Sequence, residues 1–265
     1  MRPAPLPAVE RVFWNLAQEQ GYERPPGFAR WKVVSRVHAD PHNPDNGRTV
    51  EQYIYNCQRD AFKTAAETLA DRKSRYGSGS VELSRWIETQ IKVFAQCSGE
   101  TPFVPPDEPA PDWPLLEQHD RQYQIAAAYF YDGQYLEAAS RFGEIGRTAD
   151  SPWRDLGRYL VGRSLAREAT VNENDSVPHL RLALNTYQEL AEDPEYLSAF
   201  PSVPGQIRRL RTRIDPATVR RELEQRIFDE PVSMSKDDLF DYVYLRQRAD
   251  PTDPEPSTDY SLLRQ

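Results

Sequence analysis

The sequence predicts an all-α fold on three observations. Apolar residues recur at helical spacing in one segment after another. Clusters of Gly, Pro, Asn and Asp punctuate those segments. No stretch carries a convincing strand or hairpin pattern. Composition allows a packed core, with 38% hydrophobic and 28% charged residues in a chain of 265. The formal net charge of −8 argues against bulk binding to nucleic acid or an anionic membrane surface. No apolar run approaches the roughly 18 residues of a membrane span. The opening Met1-Arg-Pro-Ala-Pro-Leu-Pro7 lacks an apolar h-region, so no signal peptide is expected in the chain as read.

Taken in order, Pro3, Pro5 and Pro7 make an extended lead-in. Val9, Phe13 and Leu16 then place one apolar stripe on a helix over 8–20, closed by Gly21. Phe28, Trp31 and Val34 repeat helical spacing after Pro25-Pro26, and 38–48 reads as loop. Thr49-Val-Glu-Gln52 fits a capping box that opens a long helix to about Arg75. Its stripe is Tyr53, Cys57, Ala61, Ala65 and Leu69. After the turn Tyr76-Gly-Ser-Gly-Ser80, a helix with Leu83, Trp86, Ile87, Phe94 and Cys97 on one face completes an antiparallel hairpin. Residues 1–99 form a first domain on this reading. Prolines 102, 105, 106, 109, 111 and 114 make 100–114 a semi-rigid linker. Helices over 115–132, 134–146, 151–169 and 178–192 follow, with Ser151-Pro152 as N-cap and first turn. A basic helix over 206–214, one opening at Asp215-Pro216 and one after Ser235 complete a second domain, 115–248. Residues 249–265 are polar and proline-bearing and read as a disordered tail.

Cys57 and Cys97 are the only cysteines. On two helices that turn near Ser78, each lies roughly 30 Å from the turn, at one level of the hairpin. Both sit on the stripe facing the other helix. That placement suits a disulfide across the open end, and two buried free thiols remain the alternative. A disulfide would place the chain in an oxidising compartment, periplasmic or otherwise exported; free thiols would suit the cytoplasm.

Residues 123–147 resemble a tetratricopeptide repeat. Small Ala126, large Tyr129, turn Gly133, Tyr135, small Ala138 and large Phe142 fall at that family's spacings, where small residues let two helices approach and large ones fill the space beside them. A degenerate second copy follows, with Gly162 and Leu165 in its first helix and Ala183, Tyr187 and Leu190 in its second. The offsets, 36 and then 45 residues, depart from the family's regular period. More broadly, NCQRDAFKTAAETL, RYG, VFAQCSG and DRQYQIAAAYFYDGQYLEAA are similar to a group of bacterial tetratricopeptide-like proteins, over about residues 50–245. The resemblance implies a helical-repeat array in a chain that is often exported, and it supplies no catalytic residues. Its pattern places Tyr123, Ala127, Phe130 and Tyr131 on a groove, with Arg163, Ala166 and Arg167 beside them. An aromatic and arginine lining suits a bound protein or peptide segment. The alternative is that the N-terminal hairpin or the prolines fill that groove as core.

Other chemistries are poorly served. His38-Ala-Asp-Pro-His42 offers two imidazoles and a carboxylate, but Pro41 breaks the helix that would align them, so a solvated turn is expected and no metal. No Gly-x-Ser-x-Gly elbow and no phosphate loop is present. His119 and His179 stand alone. Residues 207–226 carry a local excess of four positive charges without aromatics, which reads as a solvated, ion-paired face rather than a nucleic-acid site. The expectation is a non-enzymatic protein-binding scaffold with no cofactor. The alternative is an all-α enzyme with a site between the two domains.

Overall fold

The computed structural model describes residues 8–24, 33–39, 49–55, 57, 59–97, 102–172, 176–229 and 234–247. The fold is all-α: eleven α-helices lie among these residues. One two-stranded antiparallel hairpin accompanies them, β1 (Val33–Ala39) against β2 (Thr49–Tyr55), in a register from Val33↔Tyr55 to Ala39↔Thr49.

That hairpin corrects two expectations. Val34 belongs to a strand, and Thr49-Val-Glu-Gln52 opens a strand instead of capping a helix. VVSRVHA and TVEQYIY are rich in β-branched and aromatic residues, which fit a pleated surface better than a helical turn. Residues 40–48, Asp40 and His42 among them, lie outside the described residues, and with them most of the expected loop; His38 lies in β1.

Helices α1 (Ala8–Glu19), α2 (Arg59–Tyr76) and α3 (Val81–Ala95) build the first core. Positive φ at Gly77 and Gly79 makes the tight α2–α3 turn. Ser80 then caps α3, its hydroxyl accepting from the Leu83 amide at 3.2 Å. Phe13 meets Phe94 edge-on at 5.2 Å, and Phe62 stacks on Phe94 at 4.3 Å. Cys57 and Cys97 are joined, with Cα atoms 5.5 Å apart. The expected pairing is present, but neither cysteine lies on a helix: Cys57 precedes α2 and Cys97 follows α3.

The segment 102–114 runs to α4 (Leu115–Asp132) and is clasped along the way. Phe103 packs on Tyr129 at 4.9 Å, and the Trp113 ring lies under the Arg85 and Arg121 guanidinium groups at 4.4 and 5.0 Å.

Helices α4, α5 (Tyr135–Arg147), α6 (Arg154–Arg167) and α7 (Val177–Ala191) stack pairwise into the second core. Gly133, at φ 94°, ends α4. Ala126, Ala138 and Ala183 are fully buried, and the rings of Tyr135, Phe142 and Tyr187 fill the space beside them. Gly162 carries the closest approach: a Cβ there would sit 2.8 Å from the Tyr187 ring. Ser151 accepts from the Trp153 amide, so α6 starts at Arg154, later than expected, and it ends in a π-helical turn, Glu168–Asn172. A short α8 (Pro194–Ala199), capped by Asp193, was not foreseen; α9 (Val203–Ile214) closes this core with Val203 and Leu210. Helices α10 (Pro216–Asp229) and α11 (Lys236–Gln247) form a small third cluster around Val219, Leu223 and Leu245.

Gly162→Ala is expected to cost about 1–3 kcal/mol, because Tyr187 is fully buried and has nowhere to move. Gly205→Ala in α9, where a Cβ meets nothing, should be neutral or mildly stabilising. Thermal denaturation of the two variants checks the contrast. Reducing the disulfide, which spans 40 residues, should lower stability by about 4 kcal/mol on the chain-entropy model, visible as a lower Tm in reductant.

Candidate functional site

The first and second cores meet across a polar seam on α3 and α4. Asp120 of α4, almost wholly buried, accepts from Arg72 Nε and Nη2 of α2 at 2.6 and 2.8 Å, and from Trp153 Nε1 at 2.8 Å. Arg85 pairs in the same two-pronged way with Glu117, at 2.6 and 2.9 Å. Gln124 donates to the Trp86 carbonyl at 3.0 Å, and Arg121 to the Thr89 hydroxyl at 2.8 Å. Burial pulls the Arg72 pKa down, but the hydrogen bonds and charge of Asp120, joined by those of Asp71, outweigh it and raise it above its ordinary value.

Beside this seam opens a cleft of about 540 Å³. One wall is the first half of α2, with Asp60, Lys63, Thr64 and Glu67. The opposite wall and floor come from α4, α5 and α6, and residues 199–202 edge the mouth. Five of the seven expected groove residues line it together: Tyr123, Ala127, Phe130, Tyr131 and Arg163. Tyr123 is locked by stacking on Trp153, with ring centroids 4.0 Å apart and 10° between planes. Phe130 stands edge-on to both Tyr131 and Tyr135. Burial pushes the Tyr123 and Tyr131 hydroxyls well above the usual phenol range, so both stay neutral hydrogen-bonding groups at any ordinary pH. Ala166 is not on the lining, and neither is Arg167. Arg167 is buried near Tyr135, and its pKa is lowered by burial, with Tyr135 acting in the opposite sense.

Arg163 is the cation set deepest in the lining. Its guanidinium lies 5.9 Å from the Phe130 ring, and Nη1 donates to Asp60 Oδ2 at 2.5 Å across the cleft. Burial works against that charge; the charge and hydrogen bond of Asp60 outweigh it and raise the arginine's pKa. The α2 wall had no sequence signal, because Asp60 and Arg163 are 103 residues apart and only the packing of α2 against the second core brings them together. Tyr159 and Phe200, stacked at 5.6 Å, also line the cleft, outside the positions that the repeat pattern marks.

The basic segment is largely spent on internal pairs. Arg208 meets Asp237 and Asp241, Arg211 meets Glu222, Arg220 meets Glu224, Arg226 meets Asp238, and Arg213 donates to the Thr170 hydroxyl. Asp238 and Ser235 cap α11 reciprocally, which accounts for one of the paired aspartates at its start. Among the described residues no group of three or more His, Cys, Asp or Glu side chains is placed to hold a metal ion, and no helix is long and apolar enough to cross a membrane. Comparisons with protein-family models, curated proteins and solved structures found no match.

Removing one member of the buried pair should be costly. Asp120→Leu is expected to destabilise by about 3–5 kcal/mol, since it leaves Arg72 charged and buried without its main partner. The double variant Arg72→Met, Asp120→Leu should cost clearly less than Asp120→Leu alone. Urea denaturation of the three proteins measures the difference.

Proposed function

We propose that the protein is a non-enzymatic binding module, an adaptor or assembly scaffold, that takes a segment of a partner protein into the cleft between α2 and the stacked helix pairs. One observation carries the reading: a preformed cleft of about 540 Å³ whose floor is aromatic and alanine-lined and whose deepest cation, Arg163, is paired with Asp60 on the opposite wall. Aromatic side chains and arginine are the residues that dominate interface energies, because they bury large area and bond directionally at low entropic cost. The volume suits two or three side chains of an extended segment. Tyr123 is held in place by Trp153 before any ligand arrives, so little ordering cost falls on binding. The small-into-large packing of α4–α7 supports a tetratricopeptide-like origin for the array, and a scaffold of that kind presents grooves without dictating a task. The disulfide supports residence in an oxidising compartment, periplasmic or otherwise exported.

A photo-crosslinking residue at Lys63, an exposed position on the cleft wall, tests this against a control at Arg209. In the native host, one protein should crosslink from position 63 and not from 209. Arg163→Glu, combined with the crosslinker, should reduce that labelling at least about tenfold, the loss of about 1.4 kcal/mol of binding. Equal labelling from both positions, or labelling indifferent to Arg163→Glu, would remove the cleft as the binding site.

A further inference from the structure

The Asp60–Arg163 pair differs from the ion pairs of the seam in which member is sheltered. In Arg72–Asp120 both side chains are buried, and in Arg85–Glu117 the carboxylate is the deeper partner. Across the cleft the order is reversed: the Arg163 side chain is 17% exposed and that of Asp60 is 56% exposed. Arg163 is set deep in the lining, its guanidinium beside the Phe130 ring. Asp60 stands in the first turn of α2, with one carboxylate oxygen on Arg163 and the other accepting from the Ala61 amide at 3.0 Å.

The two members therefore tolerate separation unequally. Asp60 released from Arg163 turns into water, at a helix N-terminus where negative charge is favoured. Arg163 released from Asp60 keeps its charge where water is scarce, which is the costly half of a broken pair. An occupant that parts the two has to bring an anion for the arginine. Depth decides which kind of anion fits. A chain-terminal carboxylate would carry the last peptide N–H down with it, away from water and against an aromatic floor. An aspartate or glutamate side chain puts only methylene groups between its backbone and the arginine.

The groove sets the position of that acid in the occupant. Beyond Glu67, which lines both, a second hollow of about 240 Å³ continues along α2 to Arg72 and Trp153. From Asp60 to Arg72 the helix rises about 18 Å, the span of about five extended residues. The acid lies at the Asp60 end, and the residues beside it run over the floor toward Trp153.

We propose that the partner segment carries an aspartate or glutamate whose side chain takes the place of Asp60 on Arg163, so that Asp60 is a latch the partner must displace. The latch presupposes that the cleft binds a protein segment, and it weakens binding in proportion to the time it holds Arg163.

Two displayed random-peptide libraries, one tethered at both ends and one with free carboxyl termini, are panned against the folded full chain. Peptides from the first library should share one acidic residue near an end of the selected motif. Replacing that acid by its amide should raise the dissociation constant for wild type at least about tenfold. Asp60→Asn should bind the acidic peptide at least about threefold more tightly than wild type, and Arg163→Met should bind acid and amide forms alike. Circular dichroism confirms that each variant keeps its helices, and the comparison of acid with amide on wild type needs no variant. Peptides that lose binding in Tyr123→Ala but tolerate the amide overturn the latch and leave the cleft as a binding site. Binders from the free-carboxyl library alone overturn it too, as does an Asp60→Asn protein that binds the acidic peptide more weakly. No binder from either library also overturns the latch, and crosslinking from Lys63 then decides the cleft on its own.

Discussion

Asp120 is a single carboxylate gripped from two sides, and the position of the cleft depends on it. Arg72 reaches it from α2, and the Trp153 indole reaches it from the turn that opens α6. The same indole offers its face to Tyr123, which lines the cleft. The same α2 supplies the opposite wall through its first turns. Both sides of the cleft are therefore referenced to one buried charge. Apolar contacts would hold two cores together, but they slide; a carboxylate with three directed donors fixes distance and angle at once.

This arrangement has an energetic cost that an apolar seam would avoid. Desolvating an ion pair seldom adds net stability, and its better-attested role is to specify one arrangement over others. The seam between α3 and α4 carries several such directed polar contacts, with Arg85–Glu117, Arg121–Thr89 and Gln124–Trp86 alongside Arg72–Asp120. The two cores on either side are by contrast dense and aromatic. Rigidity within each unit comes from packing, and registration between them from polar geometry. Elsewhere charges are also matched: the basic helices α9 and α10 pair most of their arginines with nearby carboxylates.

What the sequence made legible was local. Helical spacing located most of the helices, because an amphipathic stripe is written every three or four residues. The small-and-large alternation of Ala126, Ala138 and Phe142 marked the helix pair, and the pattern of a known repeat grouped five lining residues that do share the cleft. The β1–β2 hairpin was hidden because a Thr three residues before a Gln mimics a capping box, while the β-branched and aromatic content of the same segment favours a strand. The seam and the α2 wall could not be read at all. Arg72 and Asp120 are 48 residues apart, Arg163 and Asp60 are 103 apart, and nothing in either neighbourhood announces its partner.

The position of the disulfide, outside both helix ends, gives the chain an unusual mechanical layout. Tension applied between the strand hairpin and the helix stack enters at Cys57, crosses to Cys97, and continues through the clasped proline-rich segment into α4. The α2–α3 hairpin hangs from that path as a side loop and carries none of the covalent load. It would stay folded while the elements in line with the force gave way, and with it would stay the wall of the cleft that bears Asp60.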